Sequence, residues 1–454
     1  MKKIKNRAGA AMLISFAIIL GLILLLTRLY DSGADWALFR ANPNLYNAGR
    51  LKVGELTDSD GILLANPATG AYAEAASIRR ACLHVVGDYG GMIGTGAIAA
   101  FADKLAGYKV ANGTYSRTGE GSEVALTISA ELSVAAAEAL GGARGAVLVS
   151  DYRSGEILCM VSSPNYDPLN PPDFSMASEQ YEGAYLNRAV SASYTPGSVF
   201  KIVTVAAAIE NIADLSRRSF YCGGSLEVNG AQVSCSGVHS TQTFEKAFTN
   251  SCNSAFGELA LELGAETIER TARELGLLDA HLLDGIPTAA GSFEAPVAGS
   301  ADLAWAGIGQ SKTLVSPYAM LRLSAAIANG GIVSKPTLLQ SGGETELSRL
   351  LSGLRSDTGN RERILRASTA ERLRDMMLRN VSDNYGDWRF PGLTVGAKTG
   401  TAEVGGGESH SWFTGFISDP EHPYAFTVVV EHGGAGIGRA AEIAGTVLRT
   451  AVGA

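Results

Sequence analysis

The longest apolar stretch, Ala8 to Leu26, carries no charged residue. At ~1.5 Å per residue it comes close to the ~30 Å hydrocarbon thickness of a bilayer. Lys2, Lys3, Lys5 and Arg7 precede it, whereas Arg28 and Arg40 after it are balanced by Asp31 and Asp35. The positive-inside bias therefore predicts a cytoplasmic tail over 1–7, a single membrane anchor over 8–27 and an exported body. A cleaved signal peptide is the alternative, with Ser32-Gly33-Ala34 as a small-x-small site. The apolar run exceeds the usual signal core, which favours the retained anchor.

Beyond the anchor the pattern changes twice. Over 28–122 it is irregular, with Asp60-Gly61 as a turn before a strand at Ile62-Leu63-Leu64, one helix around Ala97–Leu105, and a polar hinge at Asn112–Ser122. From Val124 a longer order begins: a strand at Ala125–Ile128, then a helix over Ala130–Leu140 stopped by Gly141-Gly142. Apolar strands follow at Gly145–Asp151 and Glu156–Ser162, joined by Arg153-Ser154-Gly155. Two more stand near the C-terminus, Trp412–Ile417 and Tyr424–Glu431, before a helix over Arg439–Val452. The middle, about 200 to 380, is mostly helical. This predicts an α+β fold in which N- and C-terminal strands share one antiparallel sheet, helices pack on it, and a helical subdomain is inserted. Residues 28–122 then form a small pedestal domain and 123–454 the main domain, with a site between the sheet edge and the insert.

Charge and cysteine usage narrow the function. Thirty-seven Lys and Arg against 45 Asp and Glu leave a net charge of −8, which argues against a nucleic-acid partner. Five cysteines are too few for a disulfide scaffold and lack paired C-x-x-C spacing, and no H-E-x-x-H occurs. No metal centre is expected.

Three short motifs carry chemistry. Ser198-Val199-Phe200-Lys201 follows a Pro-Gly turn and opens an apolar helix, so Ser198 and Lys201 share one helix face. A serine hydroxyl needs a neighbour to remove its proton, and a desolvated lysine serves as that base. In Ser251-Cys252-Asn253 the hydroxyl can relay a proton, while the amide can hold Lys201 and a peptide carbonyl. In Lys398-Thr399-Gly400-Thr401, strand alternation puts Thr399 and Thr401 on one face beside a cation, a receptor for a substrate carboxylate. Gly400 leaves room for a peptide to add to the strand edge. Each motif alone is commonplace; the set in this order is not.

S-x-x-K, S-x-N and K-T-G-T in succession resemble the motif set of penicillin-binding proteins and serine β-lactamases. The sequence is similar to class B penicillin-binding proteins, most of all the compact PbpA-type members. Ser154-Gly155-Glu156-Ile157, Ser163-Pro164-Asn165-Tyr166-Asp167-Pro168, Asn187-Arg188-Ala189, Ile308-Gly309-Gln310 and Ser411-Trp412-Phe413-Thr414-Gly415 extend the likeness. The resemblance implies the serine penicillin-recognising transpeptidase fold and a peptidoglycan D,D-transpeptidase. Ser198 is then the acylated nucleophile, Lys201 its base, and Ser251 and Asn253 relay and positioning groups. Lys398, Thr399 and Thr401 would hold the carboxylate of a D-Ala-D-Ala stem peptide, with the N–H groups of Ser198 and Thr401 as oxyanion hole. It also implies inhibition by β-lactams, no cofactor, and a SEDS-family glycan polymerase as partner at the bacterial cytoplasmic membrane.

Rival assignments share the nucleophile. A D,D-carboxypeptidase or a tethered serine β-lactamase would pass the acyl group to water, yet no E-x-x-L-N pattern lies between Asn253 and Lys398. A non-catalytic scaffold or sensor is a further alternative, against which stand the intact Ser198, Lys201 and Lys398. Cys222 and Cys235 flank a hairpin with an Asn229-Gly230 turn, and a disulfide between them stays open. That turn pairs 224 with 235 and leaves Cys222 two places off, so bridging needs a bulge or twist. Cys159 reads as core, Cys82 and His84 as a packed strand, and His410 as part of a hairpin loop.

Overall fold

A computed structural model describes residues 2–47, 49–110, 113–114, 121–174, 179–340, 360–405 and 407–453. Helix α1 (Lys2–Ala37) contains the expected anchor and runs ten residues past it, through Ser32-Gly33-Ala34. Among the described residues it is the one helix long and apolar enough to cross a membrane, and its leucines and isoleucines up to Leu26 stand exposed. At ~1.5 Å per residue it is about 54 Å long, so its C-terminal turns extend past a ~30 Å core.

The pedestal is built on four short strands, β1 (Glu55–Thr57), β2 (Leu63–Asn66), β3 (Ala71–Tyr72) and, after helix α2 (Ala76–Ala81), β4 (Glu123–Ala125). Their order is β3-β2-β1-β4, with β4 parallel to β1. The Asp60-Gly61 turn is present: Asp58 Oδ1 accepts from the Asp60 and Ile62 amides, and Gly61 has φ +83°. Two expectations shift. The helix at 97–105 is two short pieces broken at Phe101, and the strand foreseen at 125–128 starts at Glu123 and completes the pedestal sheet across the 122/123 boundary. Most of the Asn112–Ser122 hinge lies outside the described residues.

The main domain follows its hydrophobic pattern closely. Helix α3 (Ala130–Leu140) is capped by the Ser129 side chain and ended by Gly141 in the left-handed region. Strands β5 (Gly145–Asp151) and β6 (Ile157–Ser163) form the hairpin. The insert then holds α4 (Lys201–Asn211), β7 (Ser219–Cys222), β8 (Ser225–Val228), β9 (Ala231–Ser234), β10 (Ser240–Thr243), α5 (Phe244–Thr249), α6 (Asn253–Glu274), α7 (Ala301–Gly307), α8 (Pro317–Ala328) and α9 (Ala367–Asn380). The chain returns through β11 (Val395–Ala402), β12 (His410–Ile417), β13 (Tyr424–Val430) and α10 (Arg439–Ala451).

The five long strands make one antiparallel sheet in the order β11-β12-β13-β5-β6, so strands from the two ends of the main domain meet at β13 and β5. Both faces are covered, which is why the strands read as continuous apolar runs rather than alternating ones. Val147, Val149, Phe413 and Val428 pack against α3 and α10, whereas Ala146, Leu148, Trp412 and Val429 pack in the other core, with α4 and α8. This arrangement leaves β11 as an edge strand facing the insert.

Candidate active site

Ser198 lies on a 3-10 turn, Gly197–Phe200, that runs straight into α4. The turn is pinned from three sides. Gly197, at φ +56°, donates its amide to Gly309 O at 2.8 Å, Trp412 Nε1 donates to Thr195 O at 3.0 Å, and Tyr194 pairs with Val315. A Cβ at Gly309 would fall 2.6 Å from Phe200 Cβ, so the Ile308-Gly309-Gln310 loop reaches the turn only because that side chain is absent.

Lys201 is buried and its Nζ has four oxygen neighbours: Ser198 Oγ at 3.0 Å, Ser251 O at 2.5 Å, Ser251 Oγ at 3.2 Å and Asn253 Oδ1 at 2.6 Å. Ser251 O and Asn253 Oδ1 only accept hydrogen bonds. A neutral amine has two N–H groups for them and one lone pair left, which then faces a hydroxyl. Burial pushes the Lys201 ammonium down to about 7, against the opposing pull of Cys235 and Cys252. Lys398 is likewise buried and held well below the ordinary lysine range by desolvation and then by Lys201.

Ser251 joins the two lysines, its Oγ lying 2.9 Å from Lys398 Nζ. Its position comes from how α5 ends. Ser251 takes the left-handed conformation at φ +52°, its amide bonds to Phe248 O at 3.0 Å, and the Cys252 amide bonds to Ala247 O at 2.9 Å. These two bonds are a Schellman stop, with serine where glycine is usual. Cys252 is at once the residue after that stop and the N-cap of α6, so Ser251 and Asn253 are held between two helix ends.

On β11, Thr399 and Thr401 share the face toward a cleft of about 510 Å³ that Ser198, Ser251, Asn253 and Tyr385 also line. Thr399 Oγ1 bonds to Tyr385 Oη at 3.1 Å, and Thr401 Oγ1 accepts from the Gly436 amide at 3.1 Å. Gly400 points the other way. A Cβ there would lie 2.6 Å from Pro196 O and 3.0 Å from Val199 Cγ1, so the glycine makes room for the protein's own Ser198 turn rather than for a peptide. The three motifs thus meet in one cleft, and a chain of contacts runs Ser198–Lys201–Ser251–Lys398.

Other candidates are placed differently. All five cysteines are free, and Cys222 carries no bond to Cys235. The hairpin has the foreseen register, with the Cys235 amide on Gly224 O, which leaves Cys222 two places away on β7. Instead Cys222, Cys235, His239 and Cys252 bring their donor atoms within 4.8 Å of one another, a cluster without paired C-x-x-C spacing. The legible signal was the spacing C-x12-C-x3-H-x12-C. Cys82 and His84 belong to a helical stretch rather than a strand, and His84 Nε2 meets Ala184 O at 2.8 Å. Cys159 is core, and His410 begins β12, edge-on to Tyr194 and His432.

Known proteins give the same picture. The family model for the penicillin binding protein transpeptidase domain matches residues 145–449. Peptidoglycan D,D-transpeptidase PbpA of Mycobacterium tuberculosis is 30% identical over 356 residues, 73% of this chain and 71% of the relative. PbpA of Mycolicibacterium smegmatis is 29% identical over 362 residues, 73% of this chain and 72% of the relative. The solved penicillin G acyl-enzyme complex of penicillin-binding protein A from M. tuberculosis superposes with a TM-score of 0.71 at 26% identity, covering 88% of this chain and 99% of that one. By fold, motif order and these likenesses together, the chain belongs to the penicillin-binding protein transpeptidase family, as a PbpA-like class B member.

Proposed function

We infer that the protein is a peptidoglycan D,D-transpeptidase that cross-links stem peptides through an acyl-enzyme on Ser198. The observation that carries this is the 3.0 Å contact between Ser198 Oγ and a buried Lys201 whose other neighbours suit a neutral amine. Lys201 takes the Ser198 proton as Oγ attacks the carbonyl of the penultimate D-alanine. The N–H groups of Ser198 and Thr401 stabilise the oxyanion that forms. Collapse breaks the peptide bond, and the departing D-alanine amine receives a proton relayed by Ser251 between Lys201 and Lys398. An amine from a second stem then takes the acyl group and regenerates Ser198. Lys398, Thr399 and Thr401 bind the donor's carboxylate, and Asn253 orients both Lys201 and the peptide. β-Lactams imitate the donor and leave Ser198 blocked.

The same proposal covers the layout. Residues 1–7 lie in the cytoplasm, 8–27 anchor the chain as a single pass in the bacterial cytoplasmic membrane, 28–122 form the pedestal, to whose sheet β4 adds a strand, and 123–454 otherwise form the transpeptidase domain outside. The basic cluster before α1 supports this orientation. A SEDS-family glycan polymerase is the proposed partner at α1 and the pedestal, where exposed apolar helix surface is available. Fluorescent penicillin applied to the detergent-solubilised chain is expected to label wild type and not Ser198→Ala. Folded wild type that stays unlabelled would reject the enzyme.

A further inference from the structure

Cys222 ends β7, Cys235 follows β9, His239 precedes β10 and Cys252 caps α6. Three thiols and an imidazole therefore converge from four separate elements, with Cys222 and Cys252 fully buried and the other two half-buried. We propose that these four residues form a structural Zn²⁺ site, and that the metal fixes the Ser251–Asn253 turn of the catalytic cleft.

The spacing is that of a tetrahedral centre. Zn–S bonds of about 2.3 Å and Zn–N bonds of about 2.0–2.1 Å at tetrahedral angles put sulfurs ~3.8 Å apart and sulfur ~3.5 Å from nitrogen. Cys235 Sγ lies 3.9 Å from Cys252 Sγ and 3.5 Å from His239 Nδ1. A disulfide needs sulfurs at about 2.05 Å, and four donors at these separations match a shared ion better than any one covalent pair. Three sulfurs and one nitrogen suit zinc, in a closed set with no open position for catalysis.

The surroundings are those of bound thiolates. The Asn253 amide donates to Cys235 Sγ at 3.2 Å, and Ser254 Oγ lies 3.3 Å from Cys222 Sγ. Both groups come from the first turn of α6, whose positive end favours negative sulfur, and the Ser254 hydroxyl can turn its proton toward a thiolate. Loading the site displaces up to three thiol protons to solvent, while His239 binds as neutral imidazole, so Zn²⁺ and three thiolates leave a net charge of −1.

The coupling to the cleft is covalent. Cys252 lies between Ser251 and Asn253, and Asn253 Nδ2 donates to Ser234 O at 2.8 Å, next to ligand Cys235. Ser234, Cys235 and Ser236 line the cleft opposite Thr399 and Thr401. The ion would tie the β8–β9 hairpin and the β7–β10 ladder to α6 and set the height of Ser251 above the two lysines.

The test uses the full chain purified in detergent with reductant, its metal content read by mass spectrometry. About one zinc per chain is expected in wild type and in Ser198→Ala, and loss in His239→Ala. His239→Cys should keep the metal, so a folding failure of the alanine variant does not decide the matter. Co²⁺ alone, added after chelation, should give the visible bands of a tetrahedral thiolate complex, shifted in His239→Cys. Chelation should slow fluorescent-penicillin acylation about tenfold, with recovery on adding Zn²⁺. The site is overturned by wild type that binds neither ion, by a Cys222–Cys235 disulfide in the mass of chain purified separately without reductant, or by zinc that persists in His239→Ala. Zinc that binds without altering acylation overturns the coupling. Wild type that binds Co²⁺ but never takes up penicillin would leave the metal site standing and reject the transpeptidase.

Discussion

The cleft has two walls held in place by different physics. The β11 wall is the rim of a five-stranded sheet, joined to β12 over eight residue pairs and backed by two apolar cores. The opposite wall, from β7 to the start of α6, is two ladders of four pairs each, with ten of their sixteen residues exposed. Burial fixes the first wall, so many apolar side chains share the task. A lobe that small buries too little to hold itself, and a few specific polar groups do so instead. The first wall is therefore sensitive to volume and the second to particular atoms.

Lys201 stands where the walls meet, and replacing it is expected to have the largest effect. Lys201→Met keeps the stem and removes the base, so penicillin acylation should fall about 10³-fold. The melting temperature should hold or rise, because a desolvated amine is exchanged for a thioether of similar length. A matching loss of stability would mean that Lys201 only braces the second wall. Ser251→Gly separates the same two roles at the turn. The left-handed conformation suits glycine, so stability should rise by about 1 kcal/mol while acylation drops about 10²-fold with the relay hydroxyl gone. Unchanged acylation would remove Ser251 from the proton path.

The pH profile sharpens the point. A protonated Lys201 cannot accept the Ser198 proton, and burial pushes its ammonium down to about 7 against the opposing pull of Cys235 and Cys252. Acylation should rise about tenfold per pH unit up to about 7 and level off above it. A flat profile between pH 5 and 8 would deny Lys201 the role of base. Stability should respond to a methyl group on the first wall only. Gly400→Ala forces a Cβ to 2.6 Å from Pro196 O, which should cost about 2 kcal/mol and displace Ser198. Gly237→Ala, on the second wall with open space around it, should change stability by less than about 0.5 kcal/mol. Calorimetry on both variants tests the contrast, and equal losses would erase it.

The same division explains what was legible in the sequence. Strands β5, β6, β12 and β13 and helices α3 and α10 follow from apolar runs and turn residues, because burial against a large core leaves a periodic trace. The three motifs named the residues that line the cleft. Three features left no such trace. The left-handed Ser251 is set by hydrogen bonds back into α5, and the true use of Gly400 by a turn 200 residues earlier in the chain. The cysteine and histidine cluster depends on folding two small ladders onto α6, so its members look unrelated until the lobe is assembled. Short-range pattern reports burial; long-range polar contacts leave only spacing.

The pedestal contact gives the smallest effect and a separate pH window. Arg79 on α2 meets Asp167, just past β6, through two bonds of 2.7 Å, Nε to Oδ1 and Nη2 to Oδ2. Asp167 also accepts from the Leu169 amide and Asn170 Nδ2, and only 5% of its side chain is exposed. The Arg79 guanidinium holds this carboxyl well below the usual carboxylate range, against the opposing effect of burial. A carboxyl whose folded pKa is depressed contributes stability above its unfolded value of about 3.9, and that contribution is lost as pH falls below it. The pedestal should therefore stay docked at pH 5, where acylation is already slow, and loosen by about 1 kcal/mol only toward pH 3. Hydrogen exchange across 76–86 should accelerate in that lower window in wild type. Arg79→Gln, which removes the charge that depresses the pKa, should exchange faster at pH 5 and show a smaller step toward pH 3. Equal steps in the two proteins would mean that the contact does not tie the pedestal to the sheet, and that the two regions share one acid transition.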